Sequence, residues 1–142
     1  SWREDPEKKT ALTAEGHING DRPRGFKWEP SQPHMASSLH IAAGQYAKFA
    51  LAVMEGKGLS EDYLAQMLRP HSYVPEDWDN DASGLGIFMT ETPVGKAYGH
   101  GGSNPAFKCE FSVSPKHEIG YVYMVNSDQG QQFHESLKAF LV

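Results

Sequence analysis

The sequence predicts an α+β domain, an antiparallel sheet with helices packed on it. Apolar residues recur at helical spacing between residues 42 and 69. From residue 84 to 126 the spacing switches to a period of two, broken by short turn signals, and a helical pattern returns at 131–141. Two helices, a meander and a closing helix are a segregated arrangement, which is the mark of this fold class.

Residues 1 to 12 are charged, with Pro6 among them, and read as a surface segment. Asn19-Gly20 suits a tight hairpin turn, whose two central positions need positive φ. A short hairpin of 14–18 against 24–28 is predicted there, and Pro23 confines it to an edge. The stretch PSQPHMASSLH is rich in proline and serine and reads as loop, so residues 1–41 are hairpin and loop. From Ala42, Tyr46, Phe49, Ala50, Val53 and Met54 fall on one helical face, while Gln45, Lys48 and Glu55 face water. Gly56 and Gly58 end this helix. Ser60 caps a second one, with Glu61 and Asp62 in its first turn, where carboxylates suit the helix dipole. Its apolar face is Tyr63, Leu64, Met67 and Leu68, and Pro70 stops it, which completes a helical pair over 42–69. Residues 71–83 read as loop.

Four strands are predicted next, at 84–91, 95–101, 106–113 and 118–126, joined by turns at Thr92-Pro93 and Pro115-Lys116-His117. In the third, Phe107, Cys109, Phe111 and Val113 alternate with Lys108, Glu110, Ser112 and Ser114. That places Cys109 as a buried structural thiol. The fourth carries Ile119, Tyr121, Tyr123 and Val125 on one face and Val122 and Met124 on the other, which predicts a central strand covered on both sides. Phe133, Leu137, Phe140 and Leu141 form the packing face of the last helix.

A chain of 142 residues is the size of one domain and long enough to bury a core. Its net charge of −5 argues against nucleic acid or an anionic membrane as main partner. No apolar run reaches the ~18 residues of a membrane helix. One cysteine excludes an internal disulfide and a thiolate zinc site. The seven histidines show neither HxH nor HExxH spacing, and no glycine-rich loop precedes a helix, so neither a metal nor a phosphate cofactor is implied.

The stretch KAYGHGGSNP, 96–105, holds the chemistry worth weighing. Gly101-Gly102-Ser103 invites a nucleophile elbow, but that motif needs a strand before its serine and a helix after it. Here position 105 is proline and a strand follows, so Ser103 is not placed as a nucleophile. Composition by itself favours a glycine-rich turn with His100 as a half-buried side chain.

The order of several segments points further. YGHGGSNPAF followed by a strand, a proline-containing turn and GYVYMVNSD resembles the C-terminal half of the serine β-lactamase-like hydrolases. Those include class C β-lactamases, D-Ala-D-Ala carboxypeptidases and penicillin-binding-protein-like esterases. ASSLHIAAGQYAKFALAVMEGKGLS is similar to the family segment in which a small-residue loop enters a helix carrying Y-A-[RK]-F. ASGLGIFM resembles the strand that precedes the third active-site motif, and TALTAEGHINGDRP resembles the segment before the helices. The likeness spans nearly the whole chain and is strongest from 36 to 127.

His100-Gly101-Gly102 matches the H-x-G form of that third motif. The resemblance implies that the strand edge pairs with a peptide-like substrate, Gly101 and Gly102 letting it lie close to the backbone. Asn104 belongs to the same substrate-binding stretch. Ser103 would give its backbone N–H to an oxyanion hole, a contribution of roughly 3 kcal/mol. His100 would orient the nucleophile network or bind a polar group of the substrate.

Two motifs of the family do not occur. No serine has lysine three residues on, and neither Y-x-N nor S-x-N is found. Residues 1–142 are therefore expected to be the C-terminal portion of one β-lactamase-like domain, with the attacking serine in an N-terminal remainder. The implied activity of the whole is hydrolysis of a β-lactam, D-amino peptide or ester through an acyl-enzyme, without a cofactor. The expected partners are that remainder, a small acyl or peptide-like substrate and, through an unpaired edge, a second copy. The resemblance alone suggests the periplasm or secretion. A non-catalytic binding module derived from the same fold is the alternative.

Overall fold

The computed structural model describes residues 13–19, 22–23, 34–75, 78, 80–93 and 95–141. The charged opening segment 1–12 and the predicted hairpin arm 24–28 lie outside the described residues, as do the side chains of Phe140 and Leu141. No described helix is long and apolar enough to cross a membrane.

A two-residue strand β1 (His17–Ile18) pairs antiparallel with β2 (Arg22–Pro23), and Asn19 takes the positive φ of 55° that the turn requires. This hairpin is tied to the far end of the chain. His17 N–H donates to the Asn126 carbonyl at 2.8 Å, Asp128 N–H donates to the His17 carbonyl at 3.1 Å, and the Asn126 side-chain amide donates to the Glu15 carbonyl at 2.7 Å.

Helix α1 (Ala43–Met54) ends as its glycines predict. Gly56 has φ of 66°, Gly56 N–H donates to the Val53 carbonyl and Lys57 N–H to the Ala52 carbonyl. That is the Schellman closure, which satisfies two carbonyls of the last turn. In α2 (Glu61–Met67) the Ser60 hydroxyl accepts from Tyr63 N–H at 3.3 Å. Tyr63, expected on the packing face, is exposed.

The sheet has six antiparallel strands in sequence order: β3 (Ser72–Tyr73), β4 (Ala82–Ser83), β5 (Phe88–Thr92), β6 (Gly95–Asn104), β7 (Phe107–Ser114) and β8 (Ile119–Val125). β3 and β4 form within the stretch expected to be loop, and Gly84 to Ile87 turns the chain with Gly86 at φ of 72°. β6 runs through Ser103 and Asn104, so the residues that look like a corner are strand. The corner is Pro105-Ala106, with Ala106 at φ of 62°.

β8 is the last strand of the sheet among the described residues, not a central one. Apolar residues on both its faces report what covers the faces, α1 on one and helix α3 (Gly130–Leu141) on the other. They carry no information on how many strands lie beside it.

The core lies between α1 and the sheet. Phe111 packs edge-on against Tyr46 and Phe49, with ring centroids 5.8 and 5.5 Å apart, and joins Ala50, Val53, Ile87 and Val113. Burial of Ile87, Phe111 and Val113 stabilises by about 1.5–3 kcal/mol each. The α3 face is polar by comparison, and that contrast bears on the site.

Candidate functional site

β6 is paired unequally along its length. β5 joins it from Thr92 opposite Gly95 to Phe88 opposite Gly99 and stops there. β7 accompanies it to the end, with Asn104 opposite Phe107 across the two-residue turn. His100, Gly101, Gly102, Ser103 and Asn104 therefore have a neighbour on one side and an open edge on the other, and all five are exposed.

Which backbone groups face the open side follows from the ladder. Residue pairs flanking a two-residue turn exchange hydrogen bonds, and bonded and non-bonded pairs then alternate. From Asn104–Phe107, the bonded pairs on the β7 side are Gly102–Cys109 and His100–Phe111. Counting from Thr92–Gly95, those on the β5 side are Ala97 and Gly99. The two counts agree, and the N–H and C=O groups of Gly101 and Ser103 point out of the sheet edge. The predicted oxyanion donor, Ser103 N–H, is thus aimed away from β7.

The imidazole of His100 is fixed locally. Its Nδ1 lies 2.8 Å from the Gly101 carbonyl oxygen, which can only accept, so Nδ1 carries the proton. In the neutral ring Nε2 is then the basic nitrogen. The Phe88 ring, at the end of β5, lies 5.1 Å from the imidazole.

The two glycines differ. A Cβ on Gly101 would lie 3.7 Å from the Cys109 carbonyl oxygen, in ordinary contact, whereas one on Gly102 would approach Cys109 Sγ to 2.9 Å. The middle position of H-x-G has room for a Cβ here, whereas a Cβ at the last would have to displace the Cys109 thiol. Cys109 itself is exposed, not buried as its alternation suggests. It shares a face with Gly102, which has no side chain to cover it. Desolvation first, and the Glu110 carboxylate second, still push its thiol above the usual range, which keeps it protonated and poorly nucleophilic.

Ser103 sits opposite Lys108, whose ammonium donates to the serine hydroxyl oxygen. An oxygen that accepts from a cation is a weaker nucleophile, in accord with excluding the elbow reading.

Behind this strand lies a group that sequence reasoning missed. Glu110, opposite Gly101, takes a hydrogen bond at 2.8 Å from Tyr121 on one carboxylate oxygen and lies 2.8 Å from His134 Nδ1 with the other. His134 is among the most buried polar residues, 3% exposed, and Phe133 beside it is 48% exposed, the reverse of what hydrophobicity predicts for α3. The Tyr121 hydroxyl is pushed above its usual range by burial first and by its bond to Glu110 second. Among the described residues, no group of three metal-ligating side chains gathers at one point.

The beta-lactamase family model matches residues 2–141 of this chain. The chain belongs to the beta-lactamase family. Two solved structures share its fold. One is the octameric penicillin-binding protein homologue from Pyrococcus abyssi, 24% identical, with a TM-score of 0.52, matched over 58% of this chain and 19% of its own. The other is a penicillin-binding protein from Bacillus halodurans, 22% identical, with a TM-score of 0.60, over 70% of this chain and 30% of its own. This chain thus spans less than a third of the length of either structure. No curated protein matches it. Family membership and the α+β sheet with packed helices agree with the resemblance drawn from the sequence, and the beta-lactamase fold is a serine-hydrolase fold.

Proposed function

We propose that this chain forms one wall of the cleft of a serine hydrolase that works through an acyl-enzyme. The observation that carries the reading is the one-sided pairing of β6. His100 to Asn104 offer an open edge with the N–H and C=O of Gly101 and Ser103 directed outward, which suits an extended, amide-like substrate. Ser103 N–H would take up charge on the carbonyl oxygen under attack. His100, with Nε2 basic, would accept a proton or a substrate hydrogen bond beside it.

The attacking serine is assigned to the remainder of the parent protein. Its oxygen would add to the acyl carbon and expel the leaving group, which departs with a proton, and water would then release the acid. The β-lactam, D-amino peptide and ester readings share this chemistry. The octameric neighbour fits with self-assembly of the parent. The chain by itself is expected to leave nitrocefin and p-nitrophenyl acetate intact. Steady turnover by the isolated chain, abolished by Ser103→Ala, would overturn the assignment and restore Ser103 as nucleophile. In the parent protein, His100→Ala should lower kcat/KM about tenfold or more. An unchanged value would favour the binding-module reading.

A further inference from the structure

We infer that the cavity behind β6, on the α3 side of the sheet, is a receptor for an organic cation, a guanidinium or alkylammonium group. The cavity holds about 220 Å³ and is lined by Trp78, Phe88, Thr90, Glu110, Ser112 and His134, among others. Gly99, His100 and Gly101 of β6 complete the lining, so the cavity adjoins the open edge described above. The inference does not depend on the hydrolase reading.

Charge is the first argument. Glu110 is the carboxylate in the lining, and a carboxylate offers about four lone-pair sites. Tyr121 occupies one, and His134 Nδ1 lies 2.8 Å from the other oxygen. Lys108, two residues along the same face, is turned to Ser103 instead. A partly buried carboxylate favours a cation that brings its own hydrogens.

The walls are the second argument. Trp78 and Phe88, both in the lining, meet edge to face, with ring centroids 5.8 Å apart. Aromatic faces beside a carboxylate are the usual receptor for guanidinium and ammonium groups. Ser112 and Thr90 add hydroxyl oxygens that can accept from the same hydrogens. The volume is below the range for whole drug-sized ligands and suits a headgroup on a short alkyl stem.

Two sources could supply the group, a free small molecule or an arginine or lysine side chain from another part of the parent protein. Titration of the chain with n-butylguanidinium, followed through the Trp78 indole and His134 imidazole NMR signals, tests the site. Saturable shifts are expected, with n-butanol giving none. Glu110→Gln should weaken binding about tenfold. Trp78→Leu, at a half-exposed residue whose loss leaves the core intact, should weaken it several-fold and keeps the test valid if the first variant does not fold. Absence of saturation, equal binding of n-butanol, or binding unchanged in the variants overturns the inference. If the chain binds the probe, repeating the titration on the parent separates the sources. Binding there means a free ligand, and exclusion means that a side chain of the parent already fills the cavity.

Discussion

The two halves of β6 are built from similar residues and put to opposite uses. Gly95 to Ala97 pair with β5, Tyr98 and Gly99 lie between β5 and β7, and His100 to Asn104 have β7 alone. In the first half Tyr98 and Gly99 are paired on both sides, and at Gly99 space is so tight that glycine is required. In the second, two residues' worth of backbone donors and acceptors are left over. Pairing on both sides produces stability, and pairing on one side leaves hydrogen-bonding capacity for a substrate.

Gly99 and Gly101, on the same face two residues apart, give the largest test of this contrast. A Cβ on Gly99 would lie 2.2 Å from the Phe111 carbonyl oxygen, which the ladder holds in place. Gly99→Ala should therefore cost about 3 kcal/mol in urea unfolding. Gly101→Ala has room and should stay within about 0.5 kcal/mol. Equal losses would show that the open half is as constrained as the closed one. Next comes His100→Ala. It should leave the urea midpoint of the chain unchanged while lowering kcat/KM of the parent about tenfold, or 1.4 kcal/mol. A stability loss of that size would make the imidazole a structural group.

A smaller effect is expected at Gly102. Gly102→Ala should destabilise by about 1 kcal/mol through contact with Cys109 Sγ. Cys109→Ala in the same chain should recover most of it, read as a double-mutant cycle. The smallest concerns the row Gly101–Glu110–Tyr123 that backs the open half. Burial first, and Glu110 second, push the Tyr123 hydroxyl from 10.0 up to about 12. A phenol with a raised folded pKa holds its proton longer when folded. Stability is then unaffected below pH 10 and falls as pH rises from 10 toward 12. Urea midpoints across that window should decline in the native chain and decline less in Tyr123→Phe.

Much of this was legible in the residues because it is local. The turn at Asn19, the closure of α1 at Gly56, the Ser60 cap and the alternation of β7 depend on near neighbours, and the chain forms them as predicted. The H-x-G stretch was legible as a motif set at a strand. Errors arose where the answer depended on what lay across the fold. Cys109 alternates with buried residues yet is exposed, because its neighbour on β6 is Gly102. β3 and β4 are too short for a period to show, and only their partners make them strands. Glu110, one of the polar alternate residues of β7, lies 2.8 Å from the buried His134 of α3, and no spacing in the sequence links the two.

By itself, then, the sequence determined the fold class, the order of the elements and the place of the candidate motif, since hydrophobic period and turn chemistry act over a few residues. Only the tertiary structure decided that β5 stops at Phe88 and leaves His100 to Asn104 an open edge. It also decided that a glutamate and a histidine 24 positions apart close a polar cavity behind it. Strand ends and cross-chain pairs are set by which surfaces meet, and no local pattern records the meeting.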